Sequence, residues 1–328
     1  MRAVLSTAFG DPSSVVIAER TAVHPREGEV RIAVRAIGVN FIDTLQVAGQ
    51  FQIPAPFPFS PGFELAGEVV SVGPGVAEVA VEDRVLAVTV YGAYAEEVVL
   101  PVTHVVRLPD GMDFPTGAAF PVAYATAHVS LCHRGRLRSG ETLVVYGASG
   151  NVGAAAVEIG TRVGATVIAV VGDPDQLTAR PDHVIAYRQE DVAGRVKALT
   201  AGRGADLILD LVGGGLFAAA LDCIAWEGRI LTVGYASGTI PDVSLVDLLV
   251  RNIAILGEDL AGYITRDIGT VKRALTELIG WYDEGALRPR APRILPFEEA
   301  AAALAAVATH TAGGKLVLTT ADGRGRTA

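Results

Sequence analysis

The strongest chemical signal in the chain is a glycine-rich turn that follows an apolar run and opens a helix-like segment. The apolar run ends at Tyr146, and glycines then stand at Gly147, Gly150 and Gly153. Glycines at these positions allow a tight turn, close approach of a pyrophosphate and close packing of the helix on the strand. Because the spacing is GxxGxxG instead of GxGxxG, the strand-to-helix context carries the prediction of a dinucleotide site, and a purely structural turn is the alternative. The candidate cofactor residues in the turn are Gly147, Ser149, Gly150, Asn151, Val152 and Gly153.

An acidic residue follows the next apolar run, where a dinucleotide ribose is usually met. Gly172-Asp173 lies ~20 residues beyond the glycine turn. The Asp173 carboxylate would accept hydrogen bonds from ribose hydroxyls and repel a 2′-phosphate, and Asp175 and Gln176 supply no cation. These residues favour NADH. Two alternatives stay open, namely an exposed Asp-Pro turn and a phosphate met by Arg180 or a more distant basic residue.

Apolar runs alternate with helix-like segments from about Phe120 onward, which is typical of a parallel, doubly wound α/β sheet of the Rossmann type. The predicted strands are Thr142–Tyr146, Thr166–Val170, His183–Ala186, Asp206–Leu211, Arg229–Val233 and Ile253–Leu256. The glycine turn follows the first strand and Asp173 follows the second. A ligand is therefore expected at the carboxyl ends of these strands.

The first hundred residues differ, because short alternating runs between Gly and Pro turns predict an antiparallel, β-rich region. Its predicted strands are Glu29–Val34, Ala66–Val72, Arg84–Val88 and Ala95–Leu100. Four prolines between Phe51 and Gly62 remove backbone donors and predict a loop. After Gly257 we expect helices and a strand that return to the first domain, over Thr270–Asp283, Glu298–Ala308 and Lys315–Leu318. The predicted domains are 1–122 together with 258–328, and 123–257 between them.

Four motifs spread over the whole chain show a resemblance to a known family. They are Gly38-Val39-Asn40-Phe41-Ile42-Asp43, Pro61-Gly62-Phe63-Glu64-Leu65-Ala66-Gly67, the glycine turn, and Gly314-Lys315-Leu316-Val317-Leu318. Together they resemble the quinone oxidoreductase branch of the medium-chain dehydrogenase/reductase superfamily. The resemblance implies a GroES-like catalytic domain made of both parts of the first domain, an inserted Rossmann domain, and a nicotinamide held in the cleft. It also implies an NAD(P)H-dependent reductase, and the family favours NADPH.

Zinc-dependent relatives carry a Cys in the first motif and a Gly-His-Glu in the second. Asn40 and Phe63 stand at those positions here, and neither is a plausible zinc ligand. The only two cysteines, Cys132 and Cys223, lie outside these motifs. We therefore expect no zinc. Reduction of a quinone or an α,β-unsaturated carbonyl fits better than oxidation of an alcohol, because nothing would lower the pKa of the alcohol hydroxyl.

Hydrogen-bond donors suffice for such a reduction, because the coenzyme provides the hydride and the protein polarises the acceptor oxygen. By motif match, the candidate catalytic residues are Asn40, which would meet nicotinamide or substrate, and Asp43, which would orient the loop. A loop-stabilising amide is the alternative for Asn40. Several relatives carry a tyrosine where Leu45 stands, so the proton donor stays open. The candidates are solvent and the tyrosines Tyr91, Tyr94 and Tyr263.

Further cofactor residues are implied by the motif match. They are Thr126 near the nicotinamide, Val212 and Gly213 after the fourth strand, Gly234 and Tyr235 after the fifth, and Gly172 and Lys315. For Lys315, an exposed lysine at a strand start is the alternative. The segment Gly257–Leu260 is less aromatic than in relatives, which leaves the substrate pocket open.

Composition limits the partners. The net charge is −9 without a Lys/Arg cluster, which argues against nucleic-acid binding. No stretch approaches ~18–20 apolar residues and no secretory leader is seen, so we expect no membrane partner and a cytoplasmic protein. The expected partners are a small-molecule substrate and a second copy of the chain. Relatives commonly dimerise by pairing the last Rossmann strand, here Arg251–Leu256.

Two other functions stay open at this stage. An enoyl-thioester reductase would share the fold and the cofactor, and would differ in pocket width and in a basic patch for a coenzyme phosphate. A non-catalytic structural or regulatory protein would bind the dinucleotide without turning over an acceptor. Turnover assays separate these hypotheses from the quinone or enone reductase.

Overall fold

The computed structural model describes residues 1–320 and divides into two units. The first consists of Met1–Val122, Ala261–Asp283 and the chain from Pro289 onward, and the second of Ala123–Leu260 and Glu284–Arg288. The second predicted domain boundary lies after residue 257, and the corresponding unit boundary in the structure lies three residues later, after Leu260. Residues 321–328, which belong to the predicted return segment, lie outside the described part of the chain.

The chain up to residue 122 is built mainly of β-strands, as its alternating apolar runs predict. Its strands are β1 (Arg2–Leu5), β2 (Val16–Glu19), β3 (Glu29–Val39), β4 (Glu64–Val72), β5 (Arg84–Val88), β6 (Glu97–Pro101) and β7 (Val105–Arg107). Its helices are α1 (Phe41–Val47) and α2 (Phe114–Ala119), and α3 (Pro121–His128) begins at its end. The proline-rich residues 51–62 contain no helix or extended strand, which confirms the predicted loop.

The second unit is a parallel sheet with helices between its strands. After a π-helix over Val129–Arg134, its strands are β8 (Thr142–Tyr146), β9 (Thr166–Val171), β10 (His183–Ala186), β11 (Ala205–Asp210), β12 (Ile224–Thr232) and β13 (Ala254–Gly257). Its helices are α4 (Asn151–Val163), α5 (Val192–Leu199), α6 (Gly215–Cys223) and α7 (Leu245–Arg251). The sheet order is β10-β9-β8-β11-β12-β13 with parallel neighbours throughout. This is the doubly wound order, in which a dinucleotide binds where the order reverses, between β8 and β11.

All six predicted parallel strands are present, and the largest difference is at the start of β12. This strand begins at Ile224 instead of Arg229. Ala205 of β11 pairs with Ile224 whereas Leu207 pairs with Arg229, so the register shifts here. The additional residues form a bulge next to α6, which the apolar pattern of β12 does not reveal.

The chain then returns to the first unit through three helices and two strands. They are α8 (Leu260–Arg266), α9 (Ile268–Asp283), β14 (Arg293–Pro296), α10 (Ala300–Ala308) and β15 (Leu316–Thr319). Helix α8 is absent from the sequence expectations. The Ala-rich helix begins at Ala300 because Phe297–Glu299 form a separate 3₁₀ turn.

The main sheet of the first unit is completed by the return segment. Its order is β14-β15-β3-β4-β5-β7, and β6 also pairs with β3. All pairs are antiparallel except β14 with β15. Along β3, Val30, Ile32 and Val34 are buried while the intervening residues are partly exposed, so one face of this strand packs into the core. The protein thus has the expected α/β fold, with a GroES-like β-rich unit and a Rossmann unit.

Within residues 1–320, no helix combines the length and the apolar character needed to cross a bilayer.

Candidate active site

The glycine turn of the second unit is a cradle made of backbone. It joins the buried end of β8 to α4, and Gly147 has a φ of 76°, in the left-handed region that favours glycine. A Cβ on Gly153 would lie 2.2 Å from the Gly147 carbonyl oxygen, so only glycine allows this close packing. Helix α4 begins at Asn151 without a side-chain cap. Its first N–H groups have no partner within the helix and mark the positive end of the helix dipole, so the turn fits a pyrophosphate.

Asp173 lies directly beyond the next strand, β9, at the start of a short 3₁₀ turn. Its carboxylate accepts hydrogen bonds from the Asp175 backbone N–H at 3.1 Å and from Gln176 Nε2 at 3.3 Å. The carboxylate therefore caps its own turn, in agreement with the Asp-Pro turn that the sequence left open. Both of its oxygens already take part in local hydrogen bonds.

A cation that follows the neighbouring strand lies beside this position. Tyr187 and Arg188 follow β10, which pairs in parallel with β9. A Cβ at Gly172 would lie 3.1 Å from the Tyr187 hydroxyl and 3.4 Å from Arg188 Nε. The two carboxyl strand ends therefore place a guanidinium, a phenol and a carboxylate around Gly172. Sequence reasoning missed Tyr187 and Arg188 because they follow the neighbouring strand, not the strand of Asp173.

The loops after β11 and β12 form the next part of the carboxyl edge of the sheet. Asp210, the last residue of β11, is buried, and its Oδ1 accepts the backbone N–H groups of Val212 at 2.8 Å and Gly213 at 2.9 Å. Burial raises the pKa of the Asp210 carboxyl, and these two bonds lower it. A Cβ on Gly213 would lie 3.0 Å from the Tyr235 ring, so the predicted Gly-aromatic pair at Gly234 and Tyr235 adjoins this loop. Asp210 was not singled out in the sequence, although its position at a strand end was a usable signal.

The other predicted cofactor residues occupy different environments. Thr126 is buried on α3. In the turn, Ser149 and Val152 are partly buried and Asn151 is exposed at the helix start. These positions remain predictions for cofactor contact.

The first unit holds a buried polar cluster around Asn40, Glu64 and Lys315. Asn40 Nδ2 donates to Glu64 Oε1 at 2.8 Å, and Lys315 Nζ donates to Asn40 Oδ1 at 2.6 Å. Lys315 Nζ also donates to the Val39 carbonyl oxygen at 3.1 Å and forms an ion pair with Glu64. Glu64 is 0% exposed and Lys315 only 6%. Lys315 is therefore not the exposed lysine of the alternative interpretation, and the motif match did not single out Glu64 as a site residue.

Asp43 attaches the start of α1 to the same cluster. Its Oδ2 accepts the Asn40 backbone N–H at 2.8 Å and the Tyr94 hydroxyl at 2.9 Å. Burial raises the pKa of the Asp43 carboxyl to about 7, although the two hydrogen bonds and the Lys315 ammonium lower it. Asp43 thus holds the backbone at the start of α1, and its role in the reaction stays a prediction.

The tyrosines left open as proton donors differ in access. Tyr94 is fully buried, and burial beside Asp43 raises the pKa of its hydroxyl well above the usual value. Its hydroxyl donates to Asp43 and is shielded from solvent, so an outside acceptor cannot reach it. Tyr91, by contrast, is 40% exposed.

An aromatic pair occupies the second ligand position of the zinc-dependent relatives. Phe63 is buried, and Phe51 packs edge-on against it with ring centroids 5.4 Å apart. Within residues 1–320, no three His, Cys, Asp or Glu side chains are grouped so that they could hold a metal ion. The side chains present at this position therefore do not fit a catalytic zinc.

Family models match both units of the chain. Residues 26–110 match the alcohol dehydrogenase GroES-like domain, and residues 181–318 match a family described as zinc-binding dehydrogenase. The second family is described as zinc-binding, but its model matches only residues 181–318. The positions where zinc-dependent relatives carry metal ligands lie outside that range and hold Asn40 and Phe63 in this chain.

Relatives and solved structures agree with these matches. The chain is 35% identical over 88% of its length to a quinone oxidoreductase-like protein 2 homolog of Nematostella vectensis, of which it covers 80%. It is 33% identical over 95% of its length to a quinone oxidoreductase of Pseudomonas aeruginosa, of which it covers 97%. The Escherichia coli quinone oxidoreductase complexed with NADPH superposes with a TM-score of 0.87 at 27% identity, over 97% of this chain and all of that one.

The fold and these relatives define a nicotinamide-dinucleotide-dependent oxidoreductase, with Asn40 and Phe63 at the positions where zinc-dependent relatives hold metal ligands. The chain belongs to the quinone oxidoreductase-like family of medium-chain dehydrogenases/reductases.

Proposed function

We propose that the chain reduces a quinone or an α,β-unsaturated carbonyl compound with NAD(P)H and without zinc. A bound nicotinamide dinucleotide supplies the hydride in this reaction. The observation that carries the proposal is the Asn40 amide, which is anchored to an ammonium and a carboxylate at a position where zinc-dependent relatives have a metal ligand. A hydrogen-bond donor can polarise a conjugated carbonyl, which needs no lowering of a hydroxyl pKa.

In this proposal the chain contributes positioning and hydrogen bonds. The glycine cradle holds the pyrophosphate through backbone N–H groups, and the Asn40 amide donates to the acceptor oxygen or to the nicotinamide. Solvent supplies the proton in this proposal, and the buried Tyr94, which donates its hydroxyl to Asp43, does not. The acceptor must therefore be activated by conjugation.

A steady-state assay tests the proposal directly. Metal-stripped protein is mixed with simple quinones or conjugated enones, and loss of reduced-nicotinamide absorbance is followed with NADH and NADPH in parallel. We expect turnover that neither chelators nor added zinc change. Cofactor binding without turnover on any of these acceptors would refute the assignment and favour a thioester substrate or a non-catalytic role.

We further propose that NADPH is preferred over NADH, which revises the preference inferred from Asp173 alone. The support is that Asp173 is engaged by its own turn, whereas Arg188 Nε lies close to Gly172 on the neighbouring strand end. A guanidinium can bind a 2′-phosphate through charge-assisted hydrogen bonds. The ratio of kcat/KM for the two coenzymes measures this preference, and a ratio that favours NADH would refute it.

Finally, we propose that two copies of the chain form a dimer through the β13 edge of the Rossmann sheet. Strand β13 is the last in the sheet order, and the preceding helix α7 exposes apolar side chains. Leu245, Val246, Leu249 and Val250 are 64–80% exposed. An apolar patch next to an unpaired strand edge favours a protein partner.

Light scattering at micromolar concentration tests the dimer. We expect twice the chain mass for the unmodified protein and a shift towards the single-chain mass for the Leu245→Glu/Leu249→Glu variant. The matched control is Val16→Glu, which adds a charge at an exposed apolar residue of β2 in the other unit. A single-chain mass for the unmodified protein would refute the proposal.

A further inference from the structure

The Asn40 side chain is held at both of its polar atoms by charged groups. Lys315 Nζ lies 2.6 Å from Oδ1, and Glu64 Oε1 lies 2.8 Å from Nδ2. An ammonium can only donate and a carboxylate can only accept, so the amide cannot rotate by 180° without facing each charge with the wrong atom. The backbone N–H of Asn40 is fixed in turn by Asp43 at 2.8 Å.

The second hydrogen of the amide is held only by a long contact. Nδ2 carries two hydrogens, of which one is used by Glu64. The Gly38 carbonyl oxygen lies 3.5 Å from Nδ2, at the limit of a hydrogen bond. Asn40 is partly exposed, whereas Glu64 and Lys315 are buried. An acceptor at ordinary hydrogen-bond distance would therefore compete with the Gly38 carbonyl oxygen for this second hydrogen.

Glu64 is the residue that joins the elements of this cluster. Its Oε1 receives both Asn40 and Lys315, and its Oε2 accepts the backbone N–H of Val122 in the first turn of α3 at 2.7 Å. The carboxylate thus connects the ends of β3 and the starts of β4, β15 and α3. Gly38 makes room for it, because a Cβ there would lie 2.2 Å from Glu64 Oε1.

Lys315 cannot itself act on an acceptor. Its three N–H groups are directed to the Val39 carbonyl, the Asn40 amide oxygen and the Glu64 carboxylate. Any influence on the reaction must therefore pass through Asn40. Stability alone does not explain the pair, since buried ion pairs can be replaced by apolar residues without loss of stability.

We propose that Glu64 and Lys315 are positioning residues that fix the Asn40 amide so that its second, weakly held N–H meets the acceptor oxygen or the nicotinamide. The inference deepens the proposed function and depends on it. Because a fixed donor needs no reorganisation during the reaction, its loss slows the chemical step more than it weakens coenzyme binding.

The position of the amide is measured without any activity. The chain has three asparagines, so [¹⁵N]asparagine labelling gives three side-chain amide signals. We expect the two Asn40 hydrogens of the coenzyme-free protein to differ strongly in chemical shift and to exchange slowly with water. In Glu64→Gln this pattern changes for Asn40 while the exposed Asn151 and Asn252 serve as references. The matched control is Glu96→Gln, which removes a carboxylate paired with Arg2 in the same unit.

Kinetics provide the second measurement. In Glu64→Gln and Lys315→Met, we expect kcat to fall by about 10- to 100-fold. The coenzyme Kd should change less than twofold, and the primary isotope effect with reduced coenzyme deuterated at C4 should increase. Lys315→Arg, which keeps a cation, should recover part of kcat, and Lys272→Met is the control for loss of a lysine that donates only to the Val102 carbonyl.

The outcomes separate the two proposals. If the unmodified protein reduces none of the acceptors but its Asn40 signals show the fixed amide, the proposed function fails and the geometry stands. If the unmodified protein is active, either unchanged Asn40 signals or an unchanged kcat in Glu64→Gln overturns the positioning role. Should single variants unfold, Glu64→Gln/Lys315→Met removes both charges together, and wild-type kcat in that variant overturns the proposal.

Discussion

The two candidate sites of the molecule are built by opposite means. The glycine cradle of the second unit consists of backbone N–H groups and the absence of side chains, with Gly153 packed against the Gly147 carbonyl. The cluster of the first unit consists of buried side chains, with Glu64, Lys315 and Asp43 almost without solvent contact. A backbone site depends on local chain geometry. A side-chain site depends on strands that are distant in the sequence. Substitutions in it should therefore lower the unfolding free energy of the unit as well as its activity.

The largest expected effect is on the stability of the first unit. Lys315→Met leaves the Glu64 carboxylate buried without its ion-pair partner, which should destabilise this unit by about 3–5 kcal/mol. The chain has two tryptophans, Trp226 in the second unit and Trp281 in the first. Urea unfolding followed by Trp281 fluorescence in a Trp226→Phe background measures the effect. Lys272→Met should change the midpoint little, and equal midpoints for the two lysine variants would contradict the prediction.

The pH dependence of stability tests the same cluster. Because the pKa of Asp43 is raised from 3.8 to about 7, its neutral form is favoured by folding. Its contribution to stability is present below pH 4 and is lost as the pH rises towards 7 and beyond, by up to roughly 4 kcal/mol. Asp43→Asn removes this loss. Urea unfolding at pH 5 and pH 8 should show that the variant gains stability relative to wild type at the higher pH.

The control for this comparison is an acidic residue outside the cluster. Glu96→Gln serves as this control, because it removes a carboxylate charge with little change in side-chain size, as Asp43→Asn does. A difference between Asp43→Asn and wild type that does not vary between pH 5 and pH 8 would show that Asp43 does not titrate in this range.

The cradle should respond in coenzyme binding, together with whatever stability the shifted turn loses. In Gly153→Ala the new Cβ meets the Gly147 carbonyl at 2.2 Å, so the turn must shift. We expect a rise in coenzyme Kd of about 10- to 100-fold, equivalent to roughly 1–3 kcal/mol. Fluorescence titration with NADPH measures it. Gly280→Ala in α9, where nothing lies within 4 Å of the new Cβ, should leave Kd unchanged and stabilise the protein by about 0.5–1 kcal/mol. A Kd within twofold of wild type in Gly153→Ala would show that the cradle is not the pyrophosphate site.

The smallest expected effect concerns coenzyme choice. Arg188→Ala should lower kcat/KM for NADPH by roughly tenfold, which corresponds to about 1.4 kcal/mol, and leave the value for NADH nearly unchanged. Arg180→Ala is the matched control, because Arg180 is also exposed and lies closer in sequence to Asp173. Equal losses with both coenzymes would show that Arg188 does not meet a 2′-phosphate.

The sequence predicted the parallel sheet well because its central strands β8, β9 and β11 are buried on both faces and read as continuous apolar runs, although the edge strands β10 and β13 are more exposed. It was less informative at β12, where the bulge after Ile224 depends on pairing with β11. Helix α8 was missed because its apolar stripe, with Leu260, Ala261 and Ile264 buried, occupies only seven residues. Short elements are decided by tertiary packing, which a local pattern does not contain.

The candidate sites show the same division. Glycine spacing and the following helix are local, so the cradle was predictable from residues 147–153. The ion pair of Glu64 with Lys315 joins residues 251 positions apart, and no local signal connects them. Arg188 was missed for a related reason, since its proximity to Gly172 results from the pairing of β9 with β10. Side-chain partners on neighbouring strands become visible only when the strand order is known.

The place of β15 within the first sheet has a consequence for the timing of synthesis. This strand lies between β14 and β3, so neither of these strands can pair with it until residues 316–319 have been synthesised. A ribosome that adds ~5–20 residues per second needs roughly 12 to 50 s to travel from the end of β4 to the end of β15. During that interval β3 has an open edge and Glu64 has no ammonium beside it. The Rossmann unit, whose strands are contiguous in the chain, can fold within this time, whereas the buried cluster around Asn40 is complete only after Lys315 has been synthesised.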